Sequence, residues 1–166
     1  MKKLLAYAYH WLMGPPQTGI KTRLVCEKRK RPGEPWEKVF EKHNILVKGG
    51  LAQFAALWGD AAAVPFTLGK IGIGTTGATV NDTQLANEVD EVTGTFTRFQ
   101  TTHPNDSCRL VSLHTAPVGG WAITEYAAAA VGTPDTLWNR VVFAAVNLAE
   151  DEQLQFTYEH QVTEVV

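Results

Sequence analysis

The chain is short of cysteine, of charge of one sign, of long apolar runs and of paired histidines, and each shortage excludes something. Cys26 and Cys108 are the only cysteines. With no CxxC pair and no Cys/His spacing of a zinc site, a disulfide scaffold and a structural zinc are both disfavoured. The pair reads as two small buried thiols in a reducing compartment. Fifteen basic against seventeen acidic side chains leave a formal charge of −2, so no global field draws the protein to nucleic acid or an anionic membrane. No apolar run approaches the ~20 residues of a membrane-spanning helix. Five histidines, at 10, 43, 103, 114 and 160, lack helical or strand spacing to one another, so no metal-ligand pattern emerges. No G-x-S-x-G elbow and no supported Cys/His nucleophile pair occurs. No catalytic, cofactor-binding or metal residue is expected.

What is present is a 166-residue chain, 45% hydrophobic, with fourteen glycines and eight prolines. That length fits one domain, or one domain with an arm, and the composition suits short strands between tight turns. Ile20–Lys28 alternates, with Ile20, Thr22, Leu24 and Cys26 on one face. Arg31-Pro32-Gly33-Glu34 has the chemistry of a type II turn, and Trp36–Asn44 alternates again, which predicts a hairpin with a charged tip. Leu51, Phe54, Ala55, Leu57 and Trp58 sit at helical spacing, opened by Gly49-Gly50 and closed by Gly59-Asp60. A strand over Phe66–Ile73 runs into a glycine loop. Asn81 or Asp82 then caps a short helix near 82–89.

Beyond Val92 the pattern is β throughout. Strands are expected over Thr95–Thr101, Arg109–Thr115, Trp121–Ala127, Leu137–Phe143 and Gln153–Val165. The last is the cleanest, with Leu154, Phe156, Tyr158, His160 and Val162 on one face. Eight strands and two helical insertions predict an all-β fold with minor helices, an antiparallel β-sandwich of jelly-roll type over 20–166. Residues 1–19 are expected to form an N-terminal helix or arm.

The arm imitates a secretory signal, with Lys2 and Lys3 before an apolar stretch. Gly14-Pro15-Pro16-Gln17 offers no small-x-small cleavage site, however, and an amphipathic helix explains the residues better. Leu4, Tyr7, Trp11 and Leu12 are its candidate contacts with a neighbouring subunit, because a short helix is not stable unsupported. Lys28-Arg29-Lys30-Arg31 is the one dense charge run. A solvated hairpin tip is its plain reading, and Arg29, Lys30 and Arg31 are candidate interface residues if it meets an acidic partner.

Three further features invite a chemical reading. Ile71-Gly72-Ile73-Gly74-Thr75-Thr76-Gly77 resembles a nucleotide-binding loop, but no Lys-Ser/Thr pair follows and no βαβ unit surrounds it. It is expected to be a structural turn. Glu125 and Glu159 would be paired carboxylates across two strands if the protein were a polysaccharide hydrolase. Trp58, Trp121 and Trp138 are read as core or interface residues.

The order of several short motifs resembles that of small β-rich structural proteins of tailed-phage virions. These motifs are His43-Asn44-Ile45 with Gly50-Leu51, the 71–76 loop, Asn81-Asp82-Thr83-Gln84-Leu85-Ala86-Asn87-Glu88, Ile123-Thr124-Glu125, Leu137-Trp138-Asn139-Arg140-Val141-Val142-Phe143, and Leu154-Gln155-Phe156-Thr157-Tyr158. Together they span about residues 36 to 160. The resemblance implies a non-enzymatic assembly role in a virion put together in the host cytoplasm. The leading expectation is a capsid decoration (cement) protein, trimeric or dimeric, that contacts the major capsid protein and neither nucleic acid nor membrane. A tail-associated adaptor, baseplate or fibre protein with other tail proteins as partners is the second expectation, and a surface-polysaccharide hydrolase a remote third.

Overall fold

Gln153–Val165, the segment with the cleanest alternation, becomes the middle strand of a five-stranded sheet. The computed structural model describes residues 17–43, 45–56, 63–101 and 106–165. Their elements run β1 (Gln17–Arg29), β2 (Glu37–Lys42), β3 (Ile45–Leu46), α1 (Lys48–Ala56), β4 (Leu68–Gly72), β5 (Glu88–Thr93), β6 (Thr95–Phe99), β7 (Ser107–Thr115), β8 (Trp121–Ala130), β9 (Thr136–Leu137), β10 (Asn139–Leu148) and β11 (Gln153–Val165). The first sheet has the order β2-β1-β11-β7-β6, and the second β3-β10-β8-β4-β5, with β9 also pairing β8. Every pairing is antiparallel. The protein is an all-β antiparallel sandwich.

The inward faces interlock by alternation. Leu24, Cys26, Leu110, Leu154, Phe156 and Tyr158 come from the first sheet to meet Ile71, Ile123, Tyr126, Ala128 and Phe143 of the second. Tyr126 stacks on Phe156 at 4.4 Å between ring centroids, and Phe66 lies edge-on to Trp138 at 4.7 Å and Tyr158 at 5.1 Å. Each fully buried aromatic or aliphatic side chain contributes about 1.5–3 kcal/mol over its exposed state. Both cysteines are free, and burial pushes each thiol up to about 12.

The second sheet is covered on its other face as well. Val47, Leu68, Leu85, Ala127, Ala129 and Leu137 form a smaller cluster there. This explains why Ala127–Ala130 shows no alternation, since every one of those residues is buried. A strand enclosed on both faces reads as a continuous apolar run instead of an alternating one.

Several expectations are corrected. The helix expected near 82–89 does not form. Asp82 turns its carboxylate back to the amide of Thr79 at 2.9 Å instead of capping a following turn, and Glu88–Thr93 is a strand on β4. The helix expected near 50–58 begins at Lys48, so Gly49 and Gly50 lie inside its first turn; Leu57 and Trp58 lie outside the described residues. Leu137–Phe143 is two strands rather than one. The break is at Trp138, and the Asn139 side-chain oxygen accepts the amide of Ala128 at 2.6 Å, a hydrogen bond that a continuous ladder would have made.

The sandwich's two flanks differ. On one, β5 passes to β6 through Gly94 alone, whose amide donates to Thr67 at 2.8 Å, so the chain itself joins the sheets. On the other, among the described residues, β2 ends the first sheet, and β10 has only Asn139 and Arg140 paired to β3.

Candidate functional site

Parts of four of the motifs behind the resemblance, 71–76, 81–88, 123–125 and 137–143, meet on the outer face of the second sheet beneath the 73–87 loop, whereas 154–158 lies on β11 of the first sheet. Glu125, on β8, is fully buried there. Its Oε1 accepts the amides of Gly74 at 3.0 Å and Asn87 at 2.9 Å, and its Oε2 the amide of Ala86 at 3.1 Å. Arg140, on β10, donates through Nε at 2.9 Å and Nη2 at 2.8 Å to the same Oε2. The guanidinium also reaches Asp82 Oδ2 at 2.8 Å and the Thr76 carbonyl at 3.0 Å, and the Thr124 hydroxyl donates to the Gly74 carbonyl at 2.8 Å. The glycines are needed for this approach, because a Cβ on Gly72 or Gly74 would lie 2.5 Å from Glu125 Oε1.

Burial alone would raise the Glu125 carboxyl. The amide of Asn87, the Arg140 guanidinium and the amides of Ala86 and Gly74 outweigh it and hold the group below the usual carboxylate range. Asp82 is likewise lowered: burial opposes the shift, and the Thr79 amide and Arg140 produce it. The glycine loop thus does cradle an anion with its amides, but the anion is the protein's own glutamate. With both oxygens occupied and no exposed surface, Glu125 serves as a fastening for the loop.

Glu125 and Glu159, the candidate carboxylate pair, are not brought together in the structure. Glu159 lies on β11 in the first sheet, on the outer face, where Arg23 at 3.0 Å and Arg109 at 2.9 Å hold it. Arg140 and Asp82 were missed as members of a site. An arginine within an apolar strand, Asn139-Arg140-Val141-Val142-Phe143, is the signal that would have found the first. Lys70 in Leu68–Gly72 is a similar case: only 9% of its side chain is exposed, and it is enclosed by Glu91, Asp135 at 2.9 Å and Glu88 at 3.4 Å.

His160 is buried among Phe54, Phe66 and Trp138. Its Nε2 has no hydrogen-bond partner among the described residues, and burial pushes it down to about 4. His114 Nδ1 meets Asp90 Oδ2 at 2.8 Å across the two sheets, and His43 Nδ1 meets the Thr22 carbonyl at 2.7 Å. Trp138 belongs to the main core and Trp121 packs, half-buried, against that core, whereas Trp58 lies outside the described residues.

Of the candidate interface residues, Leu4, Tyr7, Trp11 and Leu12 lie outside the described residues. The hairpin carries the others. The predicted type II turn is present, with Gly33 at φ +90° and the Glu34 amide donating to the Arg31 carbonyl at 3.1 Å. The basic run is divided. Lys28 binds Glu152 at 2.6 Å and the Asn147 carbonyl at 2.8 Å, while Arg29 lies 4.3 Å over the Trp36 ring and donates to Gln153 at 2.7 Å. Lys30 and Arg31 are exposed. Between this hairpin and Ala145–Asn147 of β10 lies an open groove of about 830 Å³. The chain matches no protein-family model, no curated protein and no solved structure.

Proposed function

We propose that the protein is a capsid decoration protein of a tailed phage, seated on the outside of the head and stabilising it by non-covalent contacts across capsomers. Its partners would be the major capsid protein and further copies of itself. The observation that carries this reading is the difference between the flanks: one is joined by the chain at Gly94, while the other offers two strand ends, an open groove and a basic hairpin tip. A small sandwich with one receptive flank suits a repetitive lattice, in which avidity multiplies weak contacts. The formal charge of −2 favours the outer surface over one facing packaged DNA. The nesting of β1–β11 around β3–β10 supports the jelly-roll type, with the β4–β8 pairing in the second sheet as a variation.

A tail adaptor, baseplate or fibre protein is the second reading, because the same flank would serve a ring of tail subunits. The hydrolase reading finds no support in Glu125 and Glu159, which lie in different sheets. Copy number per particle, by quantitative mass spectrometry of purified virions, tests the proposal. Hundreds of copies are expected. A few dozen or fewer would move the protein to the neck, tail or baseplate, and absence from the particle would end the virion reading.

A further inference from the structure

The six residues of β2, Glu37-Lys38-Val39-Phe40-Glu41-Lys42, carry a charge pattern that complements itself when run backwards. Among the described residues the strand ends the first sheet, and five of its six residues are exposed. An open strand edge is a template for another strand, and the charges and bulges that ordinarily blunt one against arbitrary partners are arranged here to complement themselves. We infer that β2 pairs antiparallel with β2 of a second copy of the chain, around a two-fold axis at Phe40, joining two first sheets into one.

The register follows from a bulge. Cys26 and Glu27 are neighbours on β1, but their partners on β2 are Phe40 and Lys38, so Val39 is an extra residue. Lys38 and Glu41 stand opposite Glu27 and Val25 and share the outer face, where Lys38 Nζ meets Glu41 Oε2 at 2.5 Å. A two-fold axis perpendicular to a sheet keeps each residue on its own face, so residues that exchange places must be an even number of strand steps apart. In a regular strand Lys38 and Glu41 would be an odd number apart. The bulge makes the separation even.

Phe40 then faces Phe40 of the second copy, Lys38 faces its Glu41, and Glu37 faces its Lys42. A shift of one step in either direction would set Glu41 against Glu41 or Lys38 against Lys38. Opposite charges across strands stabilise a pairing and like charges weaken it, so the pattern selects a single register. Phe40, whose ring lies 4.6 Å from that of Phe143, supplies an apolar centre, and the bulged Val39, 43% exposed, stands beside it. The contact goes beyond the assembly role proposed above and does not require a particle. Its failure in solution would leave the virion copy number unaffected.

Sedimentation velocity of the full chain tests it. The wild type is expected to sediment at twice the 18.2 kDa chain mass, dissociating on dilution and in added salt. K38E/K42E and E37K/E41K each place like charges across the axis and are expected to be monomers, whereas their equimolar mixture regains the dimer. Glu41 also accepts from Arg23 Nε at 2.7 Å; where loss of that pair unfolds the basic variant, K42E should abolish the dimer and E37K/K42E restore it. A wild type that stays monomeric, folded charge variants that dimerise as well as wild type, or a folded mixture that fails to associate would each overturn the inference.

Discussion

At position 125 the carboxylate is buried and bound by three backbone amides and a guanidinium, and the loop it binds is long and mostly polar. Removing one member of such a buried pair costs more than the pair contributes, because the other charge stays behind without its partner. Glu125→Ala would leave Arg140 nearly enclosed with Asp82 as its remaining counter-charge, beside the Thr76 carbonyl, and three amides without an acceptor. The expected loss is roughly 3–5 kcal/mol, read as a lower denaturation midpoint together with faster proteolysis of the 73–87 loop. An unchanged midpoint would show that the network does not hold the loop. The sequence exposed half of this site. The glycines and Glu125 stood out, but their partnership did not, because 51 residues separate Gly74 from Glu125 and nothing local links them.

At the scale of elements, two glycines show why turns were legible and packing was not. Gly33 has φ +90° and open space where a Cβ would sit, so Gly33→Ala should cost only the left-handed backbone, about 1 kcal/mol. Gly50 is inside α1, where a Cβ would collide with the Trp138 carbonyl. Gly50→Ala must therefore displace the helix or the β9–β10 break, and should cost more than the turn variant, roughly 1–3 kcal/mol. Equilibrium unfolding of the two variants side by side checks the ranking. Equal losses would mean that α1 is free to shift. Pro32-Gly33 declares its turn through its own backbone, whereas Gly49-Gly50 looks like a helix boundary until the strand beneath it is known. The missing helix near 82–89 has the same origin. Asp82 has the residue type of a cap, but the carboxylate binds Thr79 and Arg140 instead.

For the whole molecule, stability should fall in two stages on acidification. His160 has a folded value of about 4 against an ordinary 6.5, because burial disfavours the cation. A depressed value means that its contribution is complete above about 6.5 and is lost as pH falls from there towards about 4, amounting to roughly 3 kcal/mol. Glu125, Asp82 and Asp135 are all lowered, so their contributions are present above the ordinary carboxylate range and disappear below it. Guanidinium melts between pH 7 and pH 4 should show the first decline before the carboxylates protonate. His160→Phe, in a site already lined by Phe54 and Phe66, should flatten that upper window and leave the lower one. Parallel profiles for the variant and the wild type would contradict the assignment to His160.

The fold class, the hairpin turn and the alternating face of Gln153–Val165 were determined by the sequence itself, because each depends on neighbours within a few residues: a period of two, a proline before a glycine, a charge beside a charge. The tertiary structure alone decided that Ala127–Ala130 is enclosed on both faces, that Arg140 reaches back to Glu125 and that β2 is left as an edge. Those outcomes depend on strand order and on which loop covers which face. Such contacts are set by pairings between distant segments, whose partners no local pattern names.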